Sequence, residues 1–311
     1  MCWLSRKGCR NGGPVPPPSP VRRETLGMAV GFVGVVCFAG TLPAMRLAVP
    51  YLDPWFLTSA RAAIAGVIAS VALLVMRRRP PPLAQWHAFA IASACLVWGF
   101  PLFSAIAMVT VPASNGGVIL GILPLGTAIA AAFVVGERPS SGFWLAAAAG
   151  TAIVIAFSLR QNSGGLTLGD VLLLLTVVAG SVGYAYGGKL SVSYSGWEVI
   201  AWQLVLSLPI AVPATILLWP DNAAMVPAPA WGALLYVALF SQLIGFFFWN
   251  AGLALGGIAR VGQMQLLQPF VIVFMAALVN GEAIELETLS FATAVVLTVV
   301  MGSRMRVARP V

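Results

Sequence analysis

Residues 122–137 read ILPLGTAIAAAFVVGE, and residues 267–282 read LQPFVIVFMAALVNGE. Each apolar stretch holds a proline, Pro124 or Pro269, and closes thirteen residues later on the glutamate of a Gly-Glu pair, Gly136-Glu137 or Gly281-Glu282. The copies stand 282 − 137 = 145 residues apart, close to half of the 311-residue chain. Internal duplication around an apolar core is a mark of secondary transporters, whose substrate site lies where the halves meet.

Composition agrees with this reading. The chain is 60% hydrophobic and 8% charged, against about 25% charged residues in a soluble domain. Its charges cluster between long apolar runs, the pattern of a polytopic membrane protein with the lipid bilayer as its surroundings. The net charge of +8 therefore reports orientation in the bilayer, and no nucleic-acid partner is expected. Cys2, Cys9, Cys37 and Cys95 show no ligand spacing and read as small hydrophobes and tail thiols, so neither metal nor cofactor is expected. Residues 1–26 are basic and proline-rich and are expected to form a disordered tail, not a cleavable signal peptide.

Crossing ~30 Å of hydrocarbon takes about 20 apolar residues in a helix. Ten stretches qualify: 27–48, 54–76, 86–109, 112–135, 142–159, 168–188, 197–219, 230–255, 261–279 and 286–302. Only Thr110-Val111-Pro112 separates the third from the fourth, so a tight hairpin is required there. The expected fold is all-α, with one five-helix repeat over 27–160 and a second over 168–305. With the N-terminus in the cytoplasm, Arg6, Lys7, Arg10, Arg22, Arg23, Arg77, Arg78, Arg79, Arg138, Lys189, Arg260, Arg304, Arg306 and Arg309 fall inside. That is 14 of 17 basic residues, leaving Arg46, Arg61 and Arg160 outside. The positive-inside rule thus places both termini in the cytoplasm of a cell-membrane protein. Five spans per half is an odd number, so the second half enters the membrane from the opposite side, an inverted-topology repeat. Further matches extend it: Pro54-Trp55 and Arg61 align with Gly196-Trp197 and Gln203, and Gly99-Phe100 aligns with Gly245-Phe246.

With two five-span halves, Arg61 early in the second span, Pro124 and Pro269 in the fourth and ninth, and the closing Gly-Glu pairs, residues 27–305 resemble the EamA-type, ten-span members of the drug/metabolite transporter superfamily. The resemblance implies a central cavity lined by spans 1, 3, 4, 6, 8 and 9, with spans 5 and 10 peripheral. Within the superfamily the composition is similar to exporters of aromatic and neutral amino acids. A monomer working by alternating access on a small-molecule substrate is expected.

Polar and aromatic residues of the cavity spans are the candidate substrate contacts: Trp98, Asn115, Tyr184, Ser241, Gln242, Trp249, Gln265 and Gln268. Neutral donors and acceptors on aromatic walls suit a neutral or zwitterionic solute better than a phosphate. The ordinary alternative is hydrogen-bonded glue between helices. Gly99, Pro101, Pro124, Gly245 and Pro269 are candidate hinges, because proline removes a backbone donor; a static kink is the alternative. Arg46 and Arg61 lie towards the outer end of their helices with Asp53 nearby, which suggests a structural pair or a gating role. Glu137 and Glu282 are expected to cap the helix that follows each. His87, the single histidine, is expected at the interface. An enzyme would need a nucleophile with a base, paired acids or a metal. One histidine and no acid near the midplane oppose that, as ten spans oppose a seven-helix receptor and the lack of a selectivity ring opposes a channel. Exporters of drugs, nucleosides, sugars or vitamin-like metabolites remain the alternative substrate reading.

Overall fold

The structure, a computed structural model, describes residues 20–134, 136, 138–161, 166–256, 262–303 and 307–308. Glu137 lies outside them, as do the side chains of Asn250 and Gln263. Among the described residues, seven helices are long and apolar enough to cross a membrane: Thr25–Ala48, Pro54–Val75, Leu83–Ala107, Ser141–Gln161, Leu168–Leu190, Gly196–Leu217 and Ala228–Trp249. An eighth crossing is the pair Ala113–Leu120 and Leu123–Val134, bent by 40°. Two shorter apolar helices, Met264–Asn280 and Leu286–Gly302, take the ninth and tenth places. The ten spans numbered from the sequence are thus all present. The first helix starts at Pro20, ahead of the apolar run, where the proline's missing N–H costs nothing. One departure from an all-α chain is a two-residue antiparallel ladder in which Arg138 pairs with Ala308 and Pro139 with Val307.

The helix pairing obeys the inverted symmetry. The second span packs on the seventh, the fourth on the ninth and the fifth on the tenth, each span against its own repeat. The first packs on the eighth, and its counterpart, the sixth, packs on the third. Without a hydrophobic force between helices in lipid, close backbone approach supplies much of the contact. At the first-to-eighth contact a Cβ on Gly252 would meet the nitrogen of Gly31 at 2.6 Å and the carbonyl of Gly27 at 2.8 Å.

The Gly-Glu pairs have a local cause. Gly281 has φ 69° and Gly136 φ 78°, the left-handed conformation that ends a helix and that glycine adopts without steric cost. Gly281 donates its N–H to the Ala277 carbonyl at 3.2 Å.

The two turns stand on opposite faces of the bundle. On one face Arg46 Nη1 donates to the carbonyls of Met108 (2.6 Å) and Val109 (2.9 Å). Asn280 there donates to the Pro43 carbonyl at 3.2 Å. The Glu282 carboxylate accepts from the N–H groups of Ala113 (2.8 Å) and Ser114 (2.9 Å). On the other face Arg78 pairs with Glu198 at 3.4 Å, Tyr194 donates to Gln85, and Arg138 joins the C-terminal ladder.

These bonds correct two expectations. Glu282 caps the fourth span, 282 − 113 = 169 positions earlier in the chain, and not the helix that follows it. Asp53 accepts from the N–H groups of Trp55 (2.8 Å) and Phe56 (3.3 Å), capping its own helix, and pairs with neither arginine. Arg46 instead satisfies the last carbonyls of the third span.

Candidate functional site

Five of the ten spans are interrupted among the described residues: the first at the Gly40 turn, and the third, fourth, eighth and ninth around the centre of the bundle. The third carries a π-helix over Ala94–Gly99 and the eighth one over Val237–Ile244. Such widened turns recur at functional sites. The fourth bends after Leu120, and the ninth changes from a 3-10 turn, Gly262–Leu267, to an α-helix at Gln268. Pro101, Pro124 and Pro269 each fall in the first turn of the helix after its break, where proline is tolerated because that N–H has no partner in the helix.

A cavity of ≈ 30 Å³ lies at this centre. Thr41 of the first span, Arg61 of the second, Tyr184 of the sixth, Ser241 and Gln242 of the eighth and Gln268 of the ninth supply its polar lining. Phe38, Phe100 and Phe246 are among its walls. A vestibule of ≈ 700 Å³ adjoins it, sharing Leu96, Tyr184 and Phe246 as the boundary. The vestibule reaches the exposed residues Gly188, Ser191 and Ser195, on the face that carries Arg78 and Glu198. Towards the opposite face the bundle is filled by a buried apolar cluster that includes Leu42, Met45, Phe56, Met108 and Ile119. The central cavity is therefore reached from one face and closed to the other.

Arg61 dominates the electrostatics. It begins two turns below the start of its helix, about 10 Å in at 1.5 Å per residue, and is 2% exposed. Its Nη2 donates to Gln242 Oε1 at 2.5 Å and lies 3.4 Å from Ser241 Oγ. Ser241 Oγ is in turn 2.8 Å from Thr41 Oγ1. Arg61 Nε and Nη1 and Gln242 Nε2 are buried with no hydrogen-bond partner among the described residues. No carboxylate of the described residues forms an ion pair with Arg61. A buried cation without a counter-charge costs several kcal/mol, so its retention points to function.

Of the predicted substrate contacts, Tyr184, Ser241, Gln242 and Gln268 line the central cavity. Trp249 lines the vestibule, and Gln265 lines both the vestibule and a small pocket beside Pro124 and Pro269. Trp98 packs on a separate apolar cluster, and Asn115 lies in the helix capped by Glu282; neither lines these cavities. Of the candidate hinges, Gly99 ends one π-helix and Gly245 follows the other. Arg61 and Thr41 line the site and were not among the predicted substrate contacts. Arg61 stands out in the sequence as an arginine within an apolar span, where it reads as a structural pair or a gating group. The lining also includes the second span, and the vestibule the seventh through Trp197 and Gln203, beyond the six spans expected.

Inverted five-helix halves enclosing a cavity open to one face define a multi-pass membrane transporter. The chain belongs to the EamA-like transporter family, whose model matches residues 25–159 and 167–304, one match per half, and with it to the drug/metabolite transporter superfamily. It is 43% identical over 284 residues to an uncharacterized transporter, YdeK, of Bacillus subtilis (strain 168), covering 91% of this chain and 99% of that one. A probable terminal-alkyne amino-acid exporter of Streptantibioticus cattleyicolor is 26% identical over 80% of this chain and 83% of its own length. The uncharacterized inner membrane transporter YedA of Escherichia coli (strain K12) is 22% identical over 90% and 92%. A crystal structure of an 18% identical protein shares the fold at TM-score 0.59, covering 89% of this chain and 96% of that one.

Proposed function

We propose that the protein exports small neutral or zwitterionic metabolites, amino acids foremost, across the inner membrane by alternating access. The observation that carries the reading is the central cavity between the inverted halves, open to one face and closed to the other. The similarity to a probable amino-acid exporter supports the substrate class. The polar lining is neutral apart from Arg61, which suits a zwitterion better than a multiply charged phosphate. In this reading both termini and the vestibule mouth face the cytoplasm, because Arg78, Arg138 and Lys189 belong to that face. The breaks at Gly99, Pro101, Pro124, Gly245 and Pro269 act as hinges that let the halves exchange shapes. The chain carries solute and performs no catalysis.

Orientation has a direct test. Single cysteines at Arg138 and Ala283 are expected to react with an impermeant thiol reagent from opposite sides of the membrane, position 138 from the cytoplasm. Labelling of both from one side would contradict the arrangement.

Transport is tested by counterflow of radiolabelled amino acids into proteoliposomes. At least one apolar amino acid is expected to move. Gln242→Leu and Gln265→Leu should each lower its rate about tenfold or more, as expected when a buried polar contact worth ~1.5 kcal/mol is lost, with folded protein retained. No flux of any amino acid would refute the substrate class, and unchanged kinetics in both variants would remove these glutamines from the path.

A further inference from the structure

We infer that Arg61 is the receptor for a carboxylate of the transported solute, so that an anionic carboxyl group is an obligatory recognition element of the substrate. This rests on the transport reading above and adds to it the group that the site selects.

The argument starts from unmet hydrogen-bonding capacity. A guanidinium offers five N–H donors in a planar fork that matches the two oxygens of a carboxylate. Only Nη2 of Arg61 is engaged, by Gln242 Oε1 and more distantly by Ser241. Nε and Nη1 are left, buried, without a partner among the described residues. Because Gln242 spends its carbonyl oxygen on Arg61, its amide Nε2 is a donor, and it too is buried and unpartnered. Arg61 and Gln242 line the same cavity. Three unpartnered donor atoms and a positive charge, all on two residues that line one cavity, call for an acceptor-only, anionic group.

Size narrows the choice. The ≈ 30 Å³ cavity has room for roughly two water-sized groups, about the bulk of a planar carboxylate and less than that of a tetrahedral phosphate. The rest of the solute would occupy the vestibule side, past Leu96, Tyr184 and Phe246. These walls, apolar apart from the Tyr184 hydroxyl, suit an uncharged side chain. The tether from Arg61 to Gln242 and Ser241 joins the second span to the eighth, one in each repeat, so carboxylate binding acts at the contact that must rearrange during transport.

The test is ligand-dependent thermal stability of the purified full-length protein, with L-leucine, 4-methylpentanoate, L-leucinamide and inorganic phosphate as probes. A ligand that binds only the folded state raises the melting temperature according to its affinity. L-leucine and 4-methylpentanoate are expected to stabilise the wild type with affinities at least about 30-fold above that of the amide, the smaller end of the effect of removing one partner of a buried charge pair. Phosphate is expected to have no effect. In Arg61→Gln the acid-to-amide difference should vanish, and the ligand-free variant should melt no lower than wild type, because an uncompensated buried charge has been removed. Arg61→Lys should keep part of the acid preference. Equal stabilisation by acid and amide in the wild type, which requires no variant to fold, would overturn the inference, as would stabilisation by phosphate alone. A lower ligand-free melting temperature in Arg61→Gln with the acid preference intact would make Arg61 a strut and also overturn it. Flux in proteoliposomes is measured separately, so loss of carboxylate recognition and loss of the transport reading give different results.

Discussion

Replacing Glu282 with alanine is expected to open the face that the structure holds shut. The carboxylate accepts the first free N–H groups of the fourth span, those of Ala113 and Ser114, and thereby ties the end of the ninth span to the start of the fourth. Those two helices are symmetry partners and both line the central cavity. Hydrogen bonds to a charged group are worth about 1.5 kcal/mol or more each; negative charge at a helix N-terminus adds to that. Loss of about 3 kcal/mol shifts an equilibrium between closed and open faces roughly 100-fold. The bonds of Arg46 and Asn280 on the same face remain, so a shift of tens of fold is the expected result. A single cysteine at Leu120, which lines the central cavity, reports it in a background with the four native cysteines replaced. Its labelling by an impermeant reagent from the side of Glu282 should speed up in Glu282→Ala. Glu285→Ala, a change at an exposed neighbour, should leave the rate alone. Equal rates in folded wild type and Glu282→Ala would mean that the cap stabilises the helix without gating the cavity.

Gly252→Ala is expected to be strongly destabilising. Its Cβ would meet the nitrogen and Cα of Gly31 at 2.6 and 2.7 Å and the carbonyl of Gly27 at 2.8 Å. All three are backbone atoms, so no side chain can turn aside; the first and eighth spans must separate by most of an ångström. Overpacking of this kind costs about 1–3 kcal/mol. For a chain of this size that lowers the melting temperature by roughly 5 °C. Gly232→Ala is the control, since a Cβ there meets nothing within 4 Å and alanine is the better helix former. It should melt as wild type or slightly higher. Equal melting of both variants would show that the two helices are less tightly joined than the geometry requires.

The duplicated Pro…Gly-Glu stretch shows how far a membrane sequence can be read. Hydropathy is dictated along the chain by one constraint, that every backbone group in hydrocarbon be satisfied within a helix. Spans therefore declare themselves, an odd number per half forces the inversion, and the structure reproduces both. Gly281 and Gly136 were legible for the same kind of reason, since a helix stop needs a left-handed residue. Tyr184, Ser241, Gln242 and Gln268 were legible as polar groups in apolar helices, and they meet at one cavity. Trp98 and Asn115 belonged to the same pattern and lie elsewhere.

What tertiary structure alone decided is which way each helix faces. Lipid is as apolar as the protein interior, so no apolar stripe marks the inward side of a span as it does in a soluble helix. The sequence shows Arg61 and Asp53 eight residues apart and suggests a structural pair or a gating role towards the outer end of the helix. The fold turns Arg61 inward to Gln242, 242 − 61 = 181 positions away, while Asp53 caps its own helix. The same holds for Glu282, whose partners at Ala113 and Ser114 follow from the packing of one repeat against the other. Sequence determined the spans, their inversion and their punctuation, because those depend on local solvation and backbone geometry. The charged cavity and the cap that closes its far side depend on contacts between residues more than a hundred positions apart, and only the packed bundle brings those together.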